Sequence, residues 1–196
     1  MPDCNHEEAD TRIVIHLCDA LRSSNISSAL VRTVDTDVVV ILVGKFYDLK
    51  ATKPNLNISV AFGMGRNFRY IEVNKVCESL GESKSRALPV FHALSGCDTT
   101  STFNGKGKRS AWQAWQHCDE RVTATLDFLS RHPFYRLEVN DPHFASLERL
   151  VIVMYDKSSP LSSINEARMD LFCKHNRAMD HLPPTQVTIN YLGRYI

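Results

Sequence analysis

Two periods alternate along the first half of this chain. "HEEADTRIVIHLCDALRSSN", from His6, places Ala9, Ile13, Leu17 and Ala20 at helical spacing and ends in Ser23, Ser24 and Asn25, which predicts a helix with an acid-rich first turn. "SALVRTV" (Ser28 to Val34) reads as a short buried strand, closed by Asp-Thr-Asp. "VVVILVGKF" carries strand composition, but Asp35 and Asp37 directly before it supply a cap, and the segment is read as a helix. "NLNISVAF" predicts a second strand at Asn57 to Phe62, and "RYIEVNKVCESLG" starts extended and turns helical towards a glycine cap at Gly81. "SRALPVFHAL" reads as a helix with Pro89 in its first turn.

From there the helical period takes over, over Lys108 to His117, Glu120 to Arg131, Pro142 to Tyr155 and Ile164 to Asn176. Pro183-Pro184 then breaks the chain before a last short helix. Strands alternating with helices, followed by helices alone, predict an α/β fold: a parallel sheet flanked by helices with a helical carboxy-terminal extension. The expected organisation is one domain, with a core over 1–155, a glycine hairpin near 103–112, and 156–196 as a helical extension of the same domain. "DKSSPLSS" (Asp156 to Ser163) is the best linker candidate.

The 196 residues, 43% of them hydrophobic, suffice for one sizeable core. Basic and acidic residues balance at 23 against 22, so any binding of a polyanion must come from a local patch rather than from net charge. Six cysteines lie scattered without a C-x-x-C pair, and no secretory or membrane-spanning run is present, which predicts a reduced, intracellular protein.

The chemistry concentrates in acids. Glu7-Glu8-x-Asp10 opens the first helix, Asp35-x-Asp37 follows the first strand, and Asp98 follows a Gly-Cys pair. Each has a plain structural reading as a cap or a loop residue. Together they are more specific, because the carboxyl ends of parallel strands and the starts of the following helices face one crevice. Glu8 and Asp10 are two apart and converge only at a helix entrance, where the sequence puts them. Two carboxylates 4 Å apart repel by about 4 kcal/mol at an effective dielectric of 20, a cost that a hard divalent cation offsets.

The order of these motifs resembles the flap-endonuclease/XPG branch of the PIN-domain nucleases. Glu8-Ala9-Asp10 is similar to the family's opening acidic pair, Asp35-Thr36-Asp37 to the pair after its next strand, and Gly96-Cys97-Asp98 to its later Gly-Cys-Asp triplet. "FNGKGKRSAW" (Phe103 to Trp112) resembles the hairpin with which the family holds duplex backbone. The chain also resembles a group of animal proteins, for which a mobile-element origin is one reading, that share the HEEADTR, DTDVVV and GCDTTS series. The resemblance covers roughly His6 to Trp115. It implies a partial PIN-like (Rossmann-like) fold, with the family's amino-terminal strand and helix missing from this chain. It implies metal-ligand roles for Glu8, Asp10, Asp35, Asp37 and Asp98, of which Asp35, Asp37 and Asp98 form the catalytic group, and Mg²⁺ or Mn²⁺, with a two-metal site open, as the cofactor. Gly105, Lys106, Gly107, Lys108 and Arg109 are then the nucleic-acid contacts, DNA or structured nucleic acid the partner, and the nucleus the place of action.

Other chemistries fit less well. Cys4, His6, His16 and Cys18 lack zinc-ligand spacing, Cys97 and His92 have no orienting third group, and "GKGKRS" is not a Walker A loop. Trp112 and Trp115, like Leu150, Val151 and Tyr155, read as core, and Arg66 and Arg69 as a solvated loop. Two function classes stay open: a divalent-metal-dependent nuclease hydrolysing phosphodiester bonds, and an inactive PIN-like module for nucleic-acid or protein interaction.

Overall fold

The computed structural model describes residues 9–97, 103–173 and 178–192, the side chains of 9, 180 and 190–192 excepted. It is α/β, a small mixed three-stranded sheet and a majority of helices, and it divides into two compact units, Met1–Pro89 and Val90–Ile196. Asp156 to Ser163, the expected linker, lies inside the second unit.

The first unit runs α1 (Ala9–Ser23), β1 (Ser28–Thr33), α2 (Thr36–Thr52), β2 (Asn57–Phe62), β3 (Arg69–Glu72), α3 (Val73–Leu80) and the greater part of α4 (Glu82–Leu94). β1 and β2 pair in parallel, Ser28 opposite Asn57 through Thr33 opposite Phe62, with α2 as the crossover. The expectation of a parallel sheet fails at β3, which pairs antiparallel to β2, Phe62 opposite Arg69 and Ser59 opposite Glu72. The reason is length. A parallel return needs a dozen or so residues, whereas Phe62 and Arg69 are joined by a tight turn built on Gly63 (φ +83°) and Gly65 (φ +53°). At Gly63 a Cβ would also stand 2.6 Å from the Asn67 carbonyl oxygen, so the turn admits no side chain there.

The core of this unit forms where α1, α2 and α3 meet one face of the sheet: Leu17 and Leu21, Val38, Leu42 and Phe46, Val31, Ile58 and Val60 are among its buried residues. The buried face of α1 follows Val14, Leu17 and Leu21 with Ile13 and Cys18 packed beside them, so Leu17 and Ile13 of the expected face reach the core. β1 is not a buried strand as expected. It lies at the sheet edge and only Val31 is buried, while Leu30 is 63% exposed. Pro89 sits not in the first turn of α4 but well inside it. Its ring packs against α2, where a Cβ on Gly44 would meet the ring at 2.4 Å.

The second unit holds the end of α4 with α5 (Lys108–His117), α6 (Glu120–Arg131), α7 (Pro142–Tyr155), α8 (Ile164–Cys173) and α9 (Gln186–Leu192). α7 is the hub. Nine of its residues are buried, from Phe144 to Tyr155, and α5, α6, α8 and α9 all pack against it. Asp119 and Asp141 start α6 and α7 by accepting from the Arg121 and His143 amides at 3.1 and 2.7 Å, and Pro142 takes the first-turn place where its missing N–H costs nothing. Trp115 is buried, stacked on Phe91 with ring centroids 4.6 Å apart, and its indole N–H donates to Thr123 at 3.0 Å. No described helix is long and apolar enough to cross a membrane.

Candidate metal centre

The site begins with the way β1 hands over to α2. At the carboxyl end of β1 the Asp35 amide donates to Thr33 Oγ1 at 3.0 Å, and Asp35 (φ −93°, ψ 130°) becomes the N-cap of α2, its Oδ1 accepting from the Asp37 amide at 2.8 Å. This local bonding fixes two carboxylates at one helix start. α1 packs against α2, and its own first turn carries Asp10. The outcome is that Asp10, Asp35 and Asp37 each offer an oxygen within 4.8 Å of the others. All three remain partly open to solvent.

The donor set is all carboxylate, the chemistry that hard divalent cations take. Two oxygens bound to one Mg²⁺ at about 2.1 Å lie at most about 4.2 Å apart, a difference that small side-chain rotations would close. Two helix starts, each with the positive end of a backbone dipole, reduce the cost of gathering the charges. Asp35 engages Oδ1 in its cap, and a carboxylate accepts at two oxygens, so capping and ligation are compatible. Exposed acids also gather without an ion, and the cap alone explains why Asp35 is where it is.

Of the five carboxylates expected as ligands, the fold therefore brings Asp10, Asp35 and Asp37 together, and Glu8 and Asp98 lie outside the described residues. Thr33, which orients Asp35, was not singled out in the sequence; a hydroxyl residue two places before a capping acid was its signal.

The glycine hairpin belongs to the second unit. Gly105 adopts φ +68°, Gly107 caps α5 without a side-chain bond, and a Cβ at either would meet nothing within 4 Å. The cations around them are not equivalent. Lys108 turns its ammonium to the His92 carbonyl and, at 3.1 Å, to Ser95 Oγ. Lys106 lies over the Tyr155 ring at 5.0 Å, and Tyr155 donates to the Asn104 carbonyl at 3.4 Å. Arg109 is exposed at the start of α5. Two of the three expected phosphate contacts thus also fasten the hairpin to its own unit.

No family model, curated protein or solved structure matches the chain.

Proposed function

We propose that the chain is a divalent-metal-dependent nuclease of PIN-like type, acting on DNA or structured nucleic acid inside the cell, with the nucleus as the expected compartment. The single observation that carries this reading is the convergence of Asp10 with Asp35 and Asp37, from two separate motifs, on one spot at the carboxyl end of a parallel strand pair. Asp10, Asp35 and Asp37 would hold Mg²⁺ or Mn²⁺, with Glu8 and Asp98 as further ligands. Such a cation, when bound, supplies Lewis acidity toward a phosphoryl oxygen and a water acidified for attack. The chain's own part is to fix the carboxylates: Thr33 sets the backbone of Asp35, Asp35 sets that of Asp37, and the start of α2 holds both side chains in place. Gly105 and Gly107 leave space for close backbone approach by a phosphate, with Lys106, Lys108 and Arg109 as the cationic contacts.

A second reading, an inactive module of the same fold, has its own observation in the cap formed by Asp35 and the inward turn of Lys108. Cleavage separates them. Labelled flap and single-stranded DNA incubated with Mn²⁺ should be cut, EDTA should stop it, and Asp37→Asn should slow it by a factor of about 100 or more, the scale on which a lost electrostatic group acts. A folded protein that leaves both substrates intact sinks the nuclease reading.

A further inference from the structure

We propose that the open face of the sheet in the first unit is a platform for single-stranded nucleic acid, with Phe68 and Tyr70 as the rings on which bases stack and Arg32 and Arg66 as the phosphate contacts. The proposal goes beyond the nuclease reading by naming a substrate class, and it stands or falls on binding without metal.

The register fixes the face. Arg32, Ala61 and Tyr70 occupy one row across the three strands, and the core side chains Val31, Val60 and Ile71 the next, pointing the other way. Helices cover that second face. On the first, Tyr70 is 65% and Phe68 41% exposed, their rings edge to face with centroids 5.2 Å apart. The Arg32 guanidinium lies over the Phe68 ring at 5.3 Å and donates to the Ala61 carbonyl at 2.8 Å, which holds ring and cation together. Exposed aromatic rings on a strand are costly to leave in water, and a strand pair built in parallel is ordinarily covered on both faces.

The turn from Gly63 to Phe68 extends the patch, with Arg66 exposed in its 3₁₀ segment. Arg69 begins β3 opposite Phe62, over whose ring it lies at 5.0 Å, and with Thr33 this row points to the side of Val31, Val60 and Ile71, so Arg69 stands off the platform. Thr33 is the residue that orients Asp35. A strand of nucleic acid with bases on Phe68 and Tyr70 has its backbone beside Arg32, on the open face. The single acid on the three strands, Glu72, shares this face and is paired with Lys75 at 2.6 Å.

Rings in alternation with cations suit a flexible polyanion whose bases are unpaired, because every base has a face to stack and a duplex offers none along its length. A second copy of the chain fits worse, since a two-fold contact sets this arginine-bearing face against itself.

The test uses a fluorescein-labelled oligothymidylate of about 15 nucleotides, within the range such grooves hold, followed by anisotropy in EDTA at low salt. Phe68→Leu and Tyr70→Leu keep the apolar bulk and remove the ring; each should weaken binding about 10-fold, and Tyr70→Phe should bind as the parent does. Far-UV circular dichroism checks that each variant is folded. An unlabelled duplex should compete poorly. The proposal is overturned if the leucine variants bind within about two-fold of the parent, if the parent does not bind, if duplex competes equally, or if sedimentation shows the variants dissolving a self-associated form. Asp37→Asn should bind at least as tightly as the parent in EDTA, so loss of cleavage and loss of this platform are read separately.

Discussion

At the scale of single residues the structure separates groups that carry chemistry from groups that merely pack. Burial pushes the thiols of Cys77 and Cys118 up to about 11, so both stay protonated at neutral pH and behave as small apolar side chains. Glu148 is the informative exception in the core. It is 5% exposed on α7, where its Oε1 accepts from the Ile164 amide and from Gln186, both at 3.2 Å. Burial raises its pKa above the ordinary value of 4.5, and the two donors only partly oppose that shift. The native state therefore holds this proton more tightly than the unfolded chain. The stability this contributes is complete below the ordinary carboxylate pKa and is lost as pH rises through the raised native one. Glu148→Gln keeps an oxygen to accept from Ile164 and does not ionise. Its melting temperature should equal or fall below that of the parent near pH 4, and exceed it increasingly as pH rises towards neutrality. Parallel melting curves at every pH would refute the assignment.

At the scale of elements, the contact between α2 and α4 has a measurable consequence. Gly44 in α2 lies under the Pro89 ring, with space for a hydrogen and not for a methyl. Glycine to alanine in a helix ordinarily stabilises by about 1 kcal/mol, whereas forcing a methyl into a packed contact costs about 1–3 kcal/mol. The ring is rigid, so the clash should win: Gly44→Ala is expected to destabilise by about 1–2 kcal/mol in urea unfolding, and Gly44→Ala with Pro89→Ala to recover the loss. A stabilised single variant would show that the helices can slide apart freely. This contact also marks the limit of what the sequence discloses. The helices from Lys108 onward were legible because α5 and α6 are amphipathic and α6 and α7 begin at an aspartate cap, and the boundaries over Lys108–His117, Glu120–Arg131 and Pro142–Tyr155 follow from these local signals. Pro89 was misplaced because the partner that makes a mid-helix proline acceptable is 45 residues away. The direction of β3 was hidden in the tightness of the turn at Gly63, and the exposure of β1 in its place at the sheet edge. Likewise Asp35 and Asp37 could be placed at a strand end from the sequence, but their meeting with Asp10 depends on how α1 packs on α2.

At the scale of the whole molecule, a set of carboxylates held close costs stability, a cost that a bound cation would offset. Each pair in the triad, at separations up to 4.8 Å, repels by about 1 kcal/mol even at the dielectric of water. Neutralising Asp37 removes two such repulsions and forfeits a favourable helix-start interaction of about 0.3–1 kcal/mol, so relief should prevail. In EDTA, Asp37→Asn is therefore expected to melt at or slightly above the parent temperature. With Mn²⁺ at 100 times its dissociation constant, the parent gains about 2.7 kcal/mol and its melting temperature rises by several degrees, while the variant stays where it was. This crossing of the two curves is what a binding site predicts and a capping role does not. If Asp37 served only α2, the variant would melt lower in both conditions, and added metal would move neither protein.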